Sequence, residues 1–392
     1  MNKSRAKKEM AKGVNLGGWL LMEGYILRGR NIAEHQFKNS FRKVYGNKKL
    51  AEFEALFRDN FIVEEDFKNI SNLGADVIRL PFNYRLIEKK PFTYDEKGFA
   101  YLDKALLLAS QYNLKVILDL HAACGAQNHD WHSDSQGNAF LWQNKQCRQR
   151  TYCLWEAIAD RYKNHPALYA YDLINEPVLA NKNVSILKRF YGQLIKYIRK
   201  IDKTTLIYLE GSLWAQKIDF LEDLLGDNIG VSIHTYQPLN YVFNFHPFYK
   251  YPGKIENGVW SKKTLYAYLK KYHKFCQKNK VRLLVGEFGI NWRGGHYGEL
   301  NWLDDILDIF DTFRFDYTYW TYKAVCNNVF PDGIYQYAPN NEFICREGPL
   351  YGWETYLEKW AKKKQEIVNF WQAKNYRLNE NLAETLKKHF RK

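Results

Sequence analysis

Two glutamates end apolar runs in distant parts of the chain. Glu176 follows Tyr171-Asp172-Leu173-Ile174-Asn175 and precedes Pro177, and Glu287 lies within Arg282-Leu283-Leu284-Val285-Gly286-Glu287-Phe288-Gly289. Carboxylates are costly to bury unless they are paired, so a run suited to burial that stops on one is delivering it to a shared place. Other apolar runs end in the same manner, on Arg79, on His121, on His234 with Tyr236, and on Trp320, while Asn175 stands beside Glu176. Two carboxylates facing a sugar-sized gap are the equipment of glycosidic bond cleavage, one acting on the anomeric carbon and the other on the departing oxygen. Any one of these residues alone is ordinary, since a lone Arg or His at a strand end is most often a surface or capping group. Their recurrence at run after run argues for one site.

Such recurrence needs a scaffold that gathers strand ends. Eight short aliphatic or β-branched runs are read as strands: Gly13–Leu20, Asp76–Asn83, Lys115–Ala122, Leu168–Asn175, Thr205–Gly211, Ile229–Tyr236, Arg282–Gly289 and Tyr317–Lys323. Helical periodicity lies between them at Glu64–Leu73, Tyr101–Tyr112, Cys153–Tyr162 and Val184–Ile201. Alternating strands and helices predict a parallel sheet. Eight such units predict a single α/β domain, a (β/α)8 TIM barrel with its site at the C-terminal strand ends. Long irregular stretches are expected after the first, third, sixth and eighth strands, at Glu23–Asn47, Ala123–Arg150, Gln237–Trp260 and Ala324–Gly352, where they would wall a cleft as extended βα loops. The organisation expected is a basic N-terminal extension over 1–12, the catalytic barrel over 13–353, and a lysine-rich C-terminal helical extension over 354–392.

Composition narrows the partners. Of the formal charge of +15, residues 1–12 carry a net four and residues 354–392 a net five, so nine of the fifteen lie at the two ends. A mildly basic body argues against a nucleic-acid partner. The aromatic content of 17% suits either stacking on flat ligands or a bulky core. Six cysteines, Cys124, Cys147, Cys153, Cys276, Cys326 and Cys345, follow no paired or zinc-binding spacing and are read as reduced thiols. No run approaches the ~18 apolar residues of a membrane span, and the basic start meets Gly13 before any apolar run. A cytoplasmic protein is expected, with non-classical export left open.

The ordered set Arg79, His121, Asn175-Glu176, His234-x-Tyr236, Glu287 and Trp320 resembles glycoside hydrolase family 5, over roughly Gly13 to Tyr322. The resemblance implies a retaining β-glycosidase with Glu287 as nucleophile and Glu176 as acid/base, working without cofactor or metal. It implies that Arg79 and Tyr236 hold the nucleophile, Asn175 binds the sugar 2-hydroxyl, His121 and His234 bond sugar or carboxylate, and Trp320 floors the sugar. The stretches GVNLGGWLLMEGYI and HAACGAQN are similar to the exo-β-1,3-glucanase and β-glucosidase branches. That likeness places Glu23 on the terminal glucose and puts Gln127 and Asn128 in the same pocket. Cys124 departs from the pattern, since those relatives usually carry proline there.

The cluster His129, Asp130, His132 and Asp134 has metal-ligand residue types, but its spacing in a loop favours solvated or sugar-facing groups. The expected substrate is a β-glucan or β-glucoside attacked from the non-reducing end. The rivals are an endo-acting β-glucanase or mannanase and a glycolipid β-glucosidase. The last would use Trp360, Phe370 and Trp371 among the C-terminal lysines to rest on a membrane.

Overall fold

The computed structural model describes residues 9–180, 183–325, 329–337 and 352–392. Its centre is a closed barrel of eight parallel strands: β1 (Lys12–Asn15), β2 (Val77–Asn83), β3 (Lys115–Ala122), β4 (Leu168–Asp172), β5 (Leu206–Glu210), β6 (Ile229–His234), β7 (Leu283–Phe288) and β8 (Asp316–Tyr319). β1 pairs with both β2 and β8, which closes the ring and leaves no sheet edge. Register brings the polar strand ends level, with Asn15 beside Arg79, Asp119 beside Asp172, and Glu287 beside His234.

The helices outside the ring are α1 (Glu34–Phe61), α2 (Glu64–Asn72), α3 (Glu96–Gln111), α4 (Lys145–Tyr162), α5 (Val184–Ile201), α6 (Lys262–Asn279), α7 (Glu299–Phe313), α8 (Gly352–Trp371) and α9 (Glu380–Phe390). α5 shows why such segments are helical. Leu187, Phe190, Tyr191, Leu194 and Ile198 recur every three or four residues and are all buried. α4 begins earlier than its apolar pattern suggests, because Asn144 caps it by accepting hydrogen bonds from the backbone amides of Gln146 and Cys147.

The stretch expected to be irregular after the first strand is largely helical, since α1 begins at Glu34. Phe37, Phe41, Phe53, Phe57 and Phe61 form its buried face, and Gly46, at φ 80° and ψ 170°, breaks the helical backbone midway. Several strands end sooner than expected, β4 at Asp172 rather than Asn175 and β8 at Tyr319 rather than Lys323. In both places the chain leaves the ladder to aim side chains inward.

The C-terminal segment packs onto the barrel's helical layer. Trp371 meets Phe53 and Phe57 of α1 edge-on, at centroid distances of 5.5 and 5.1 Å, and its indole N–H donates to the Tyr356 hydroxyl at 2.9 Å. Trp360, Phe370 and Trp371 are each no more than 2% exposed, so the aromatic face considered for a membrane surface is occupied, by α1 at Trp360 and Trp371 and by Tyr337 and Tyr376 at Phe370. On α9, buried His389 contacts Asp311 at 2.8 Å and Asp304 at 3.0 Å, pinning that helix to α7. Trp371→Ala removes a fully enclosed indole and should lower unfolding stability by about 3–5 kcal/mol, read as a reduced urea midpoint at unchanged slope. A loss below ~1 kcal/mol would mean that α8 contributes little to the fold.

Among the described residues no helix is long and apolar enough to cross a membrane. Cys124, Cys147, Cys153 and Cys276 are free thiols, whereas Cys326 and Cys345 lie outside the described residues.

Candidate active site

At the C-terminal end of the barrel a pocket of about 440 Å³ opens over the strand ends, with Glu23, Tyr25, His121, His132, Glu176, His234, Tyr236, Glu287 and Trp320 in its wall. Its base is an arginine ringed by carboxylates. Arg79, with no exposed surface, donates from Nε to Asp172 at 2.9 Å, from Nη1 to Glu287 at 3.0 Å, and from Nη2 to Glu210 at 3.0 Å and the Asn175 side-chain carbonyl at 2.9 Å. Asp119 lies 3.1 Å from the same guanidinium. One cation cannot neutralise four anions, and protonation resolves the excess. Burial raises Asp119 to about 8, against the pull of Arg79, and raises Asp172 well above the carboxylate range. Each of these two leaves its Oδ1 unpartnered among the described residues, which costs less for a neutral carboxyl than for an anion.

Glu287 is aimed by a defect in its strand. The register of β7 slips between Val285 and Glu287 against β6, as at a β-bulge, which re-aims a side chain. The freed Gly286 carbonyl accepts from Thr318 Oγ1 at 2.6 Å and Asn15 Nδ2 at 2.9 Å. Glycine at 286 lets the Ser232 and His234 side chains approach the backbone, since a Cβ would stand 2.9 Å from Ser232 Oγ and 3.0 Å from His234 Nε2 and would displace them. Glu287 then accepts from Arg79 on Oε1 and from the Tyr236 hydroxyl on Oε2, the latter at 2.8 Å.

Glu176 is held in the left-handed region at φ 46°, a conformation that non-glycine residues adopt where the surroundings enforce it. Its amide donates to Glu210 Oε2 at 2.6 Å, and its carbonyl accepts from Asn128 Nδ2 at 2.9 Å. Gln127 donates to the carbonyls of Asn175 and His121 at 2.8 and 2.7 Å. Gln127 and Asn128, expected in the pocket wall, have no exposed surface and lie behind it as backbone braces for the Asn175-Glu176 corner. Asn175 is enclosed as well, between Arg79 and His121 Nε2.

His234 joins the two glutamates. Its Nδ1 is 2.7 Å from Glu176 Oε1 and 3.6 Å from Glu287 Oε2, while its Nε2 lies 3.2 Å from Glu210. Burial would strip a proton from this imidazole, but Glu210 and Glu287 outweigh burial and hold it well above the ordinary histidine range. Burial likewise would raise Glu176, yet the hydrogen bond and charge of His234, with the charge of His132, keep it below the usual carboxylate value. Both shifts favour the proton on His234 Nδ1 over Glu176, the reverse of what the charge of Glu287 alone would do. Glu210 is held down to about 2, since His234 and Arg79 overcome its burial.

Trp320 stands in the pocket wall parallel to His121, at 5.5 Å and 13°, and its indole N–H donates to the Tyr25 hydroxyl. Glu23 is 2% exposed in the wall, its Oε1 has no hydrogen-bond partner among the described residues, and burial raises it well above the usual range. The loop cluster divides. Asp134 bonds His35 and Arg85 away from the pocket, His129 is largely exposed, and His132 enters the pocket 3.4 Å from Glu176 Oε2. Burial works against the charge on His132, but Asp130 and the neighbouring glutamates raise it to about 9.

Glu210, Asp119 and Asp172 are absent from the set read at the strand ends. Their signal is present, as an acidic residue in the last half of an otherwise apolar strand, the same signal that marks Glu287. Oxygens and nitrogens of Glu176, His234 and Glu287 fall within 4.8 Å of one another, as do those of Asp119, Asp172 and Glu210. Both groups are engaged by protein donors, Arg79 in each case and also Tyr236 in the first.

Barrel, arginine clamp and paired glutamates together define a glycoside hydrolase. The profile of the family described as cellulase (glycosyl hydrolase family 5) matches residues 39–325, and the chain belongs to that family. Among curated relatives, it is 30% identical to a β-xylosidase of Phanerodontia chrysosporium, over 80% of this chain and 67% of that protein. It is 26% identical to endoglucanase C of Acetivibrio thermocellus over 80% and 91%. It is 28% identical to a probable glucan 1,3-β-glucosidase A of Aspergillus clavatus over 59% and 56%. Among solved structures, a glycoside hydrolase superposes at a TM-score of 0.66 with 22% identity, over 97% of this chain and 99% of that one. A Thermotoga maritima endoglucanase superposes at 0.62 with 19% identity, over 96% of each chain. At these identities the structural likeness speaks to the fold.

Proposed function

We propose that the protein is a retaining β-glycosidase acting on β-glucosides or β-glucans from the non-reducing end, with Glu287 as nucleophile and Glu176 as acid/base. The observation that carries this reading is spacing. One oxygen of Glu176 and one of Glu287 lie within 4.8 Å of each other, a closeness that fits the ~5–5.5 Å carboxyl separation of retaining enzymes better than the ~6.5–9.5 Å of inverting ones.

Glu287, bonded by Arg79 and Tyr236, attacks the anomeric carbon as the bond to the leaving oxygen breaks. The proton reaches that oxygen through Glu176, which takes it from His234 Nδ1 along the 2.7 Å contact as it gives it up, so that Glu176 ends this step as a carboxylate and His234 as a neutral imidazole. As the charge of Glu287 is consumed in the ester, His234 loses one of the anions that retain its proton, which favours the transfer. In the second half Glu176 takes a proton from water, the oxygen of that water bonds to the anomeric carbon, and Glu287 departs as carboxylate. Two displacements retain the β configuration.

Exo action is supported by Glu23, which lies almost wholly buried in the pocket wall with Tyr25 and Trp320 and whose Oε1 has no hydrogen-bond partner among the described residues. A sugar hydroxyl supplies one. The names of the relatives support β-linked substrates and keep the endo alternative in play, through the endoglucanases. The test is hydrolysis of 4-nitrophenyl β-glucoside and β-xyloside, with time courses on laminarin and cellooligosaccharides. Monosaccharide alone from the first minutes is expected, whereas early mixed oligosaccharides would establish endo action, and no turnover on any of them would remove the reading. Glu23→Ala should cost about 1–3 kcal/mol in kcat/KM, because a buried sugar hydroxyl loses its partner. An unchanged kcat/KM would take Glu23 out of the sugar pocket.

A further inference from the structure

Glu210 ends β5 and, of the acids around Arg79, reaches both members of the Glu176–His234 pair. Its Oε2 accepts from the Glu176 amide at 2.6 Å, while its Oε1 accepts from Arg79 Nη2 at 3.0 Å and lies 3.2 Å from His234 Nε2. That nitrogen has no well-aligned hydrogen bond among the described residues, so this last contact acts by charge. Glu210 has no exposed surface and lies behind the pocket wall, beyond the reach of a sugar. The Tyr191 hydroxyl fixes it from the rear, donating to its backbone carbonyl at 2.9 Å.

Three N–H groups on opposite sides of one side chain need two acceptor oxygens. A carboxylate has them, whereas an amide offers one oxygen and turns its NH2 toward a donor on the other side. Glu210 also differs from its neighbours in charge. Burial raises Asp119 and Asp172, but at Glu210 the same burial is overcome by His234 and Arg79, which leave an anion. Its contacts act on the two halves of the acid/base. The amide bond holds Glu176 in its left-handed backbone conformation, and the charge faces one nitrogen of the His234 ring while the other points at Glu176 Oε1, 2.7 Å away. A buried carboxylate on one imidazole nitrogen orients the other for proton transfer.

We infer that Glu210 is the positioning residue of the acid/base, holding the Glu176 backbone with one oxygen and the His234 ring with the other, so that proton transfer along the Nδ1 contact depends on its charge. The inference rests on the glycosidase reading. The charged groups facing His234 are Glu176 beyond β4, Glu210 of β5 and Glu287 of β7. Arg79 of β2 and Asp119 of β3 stand behind them, and His132 and Tyr236 touch the two glutamates from the loops. Loss of the Glu210 charge removes one of the anions that retain the His234 proton, so the basic limb of kcat/KM moves to lower pH.

The test follows the pH profiles of wild type, Glu210→Gln and Glu210→Asp on laminaribiose, whose leaving oxygen needs a proton, and on 2,4-dinitrophenyl β-glucoside, whose leaving group needs little help. Glu210→Gln should lower kcat/KM about 10- to 100-fold on laminaribiose and less than about threefold on the activated substrate, with the laminaribiose basic limb moved down by about 1–3 pH units. Glu210→Asp keeps the charge but shortens its reach, so it should lose more on laminaribiose than on the activated substrate with its limb within about half a unit of wild type. Equal losses of Glu210→Gln on both substrates, with the limb in place, would overturn the assignment and make Glu210 a structural residue. If Glu210→Gln does not fold, Glu210→Asp decides, and equal losses on both substrates would overturn the assignment. Absence of turnover by the wild-type protein on either substrate would overturn the glycosidase reading and this assignment with it.

Discussion

Glu287→Ala is expected to reduce kcat for a 4-nitrophenyl β-glucoside by on the order of 10⁴- to 10⁶-fold, the scale on which removal of a nucleophile acts. The folded protein should persist, because Arg79 keeps Asp119, Asp172 and Glu210 as partners when Glu287 is gone. The cavity left by the side chain can admit a small anion. Azide should occupy it, attack the same face of the sugar and restore part of the cleavage, giving an α-glycosyl azide. A β-azide from this variant would exchange the roles of the two glutamates, and activity within tenfold of wild type would remove Glu287 from the chemistry.

Glu176→Ala should act on a different axis. Proton delivery is worth about 10²–10⁴-fold, and it matters most where the departing oxygen is a poor leaving group. The variant should lose that factor on laminaribiose and much less on 2,4-dinitrophenyl β-glucoside. Its pH profile should change as well. In the wild-type protein the proton available for donation is shared by Glu176 and His234, and His234 is held above its ordinary value. A group whose proton is retained to higher pH keeps the acid competent to higher pH, so the basic limb of kcat/KM should fall on the alkaline side of the ordinary histidine value of ~6.5. On the activated substrate this limb should disappear from Glu176→Ala while the acidic limb stays. A basic limb that survives the substitution would assign proton delivery to another group.

The barrel was legible because each strand is a short apolar run and the ring needs eight of them. The chemistry was legible because His121, Glu176, His234, Tyr236, Glu287 and Trp320 stand at or near the C-terminal strand ends, the face to which the fold delivers them, whereas Arg79, expected at a strand end, is the third of seven residues in β2 and reaches Glu287 by the length of its side chain. The strand boundaries were less so. Asn175 and Glu176 continue the apolar run of β4 in sequence, yet they leave the ladder because Glu210, Gln127 and Asn128 capture their backbone, a tertiary effect that no local pattern encodes. α1 was overlooked although Phe37, Phe41, Phe53, Phe57 and Phe61 repeat at helical spacing, because Gly46 divides the repeat. The ionisation of the site could not be read in advance. Whether the proton belongs to Glu176 or His234 turns on Glu210, which reaches His234 from a strand away.

The pairing of Glu287 as nucleophile with retention of configuration is tested most directly by trapping. Incubation with 2,4-dinitrophenyl 2-deoxy-2-fluoro-β-glucoside, followed by proteolysis and mass spectrometry, should yield one labelled peptide carrying a fluoroglucosyl ester on Glu287, and the first-formed product of an ordinary β-glucoside should be the β-anomer by NMR. A label on Glu176, or an α-anomer as first product, would contradict the account.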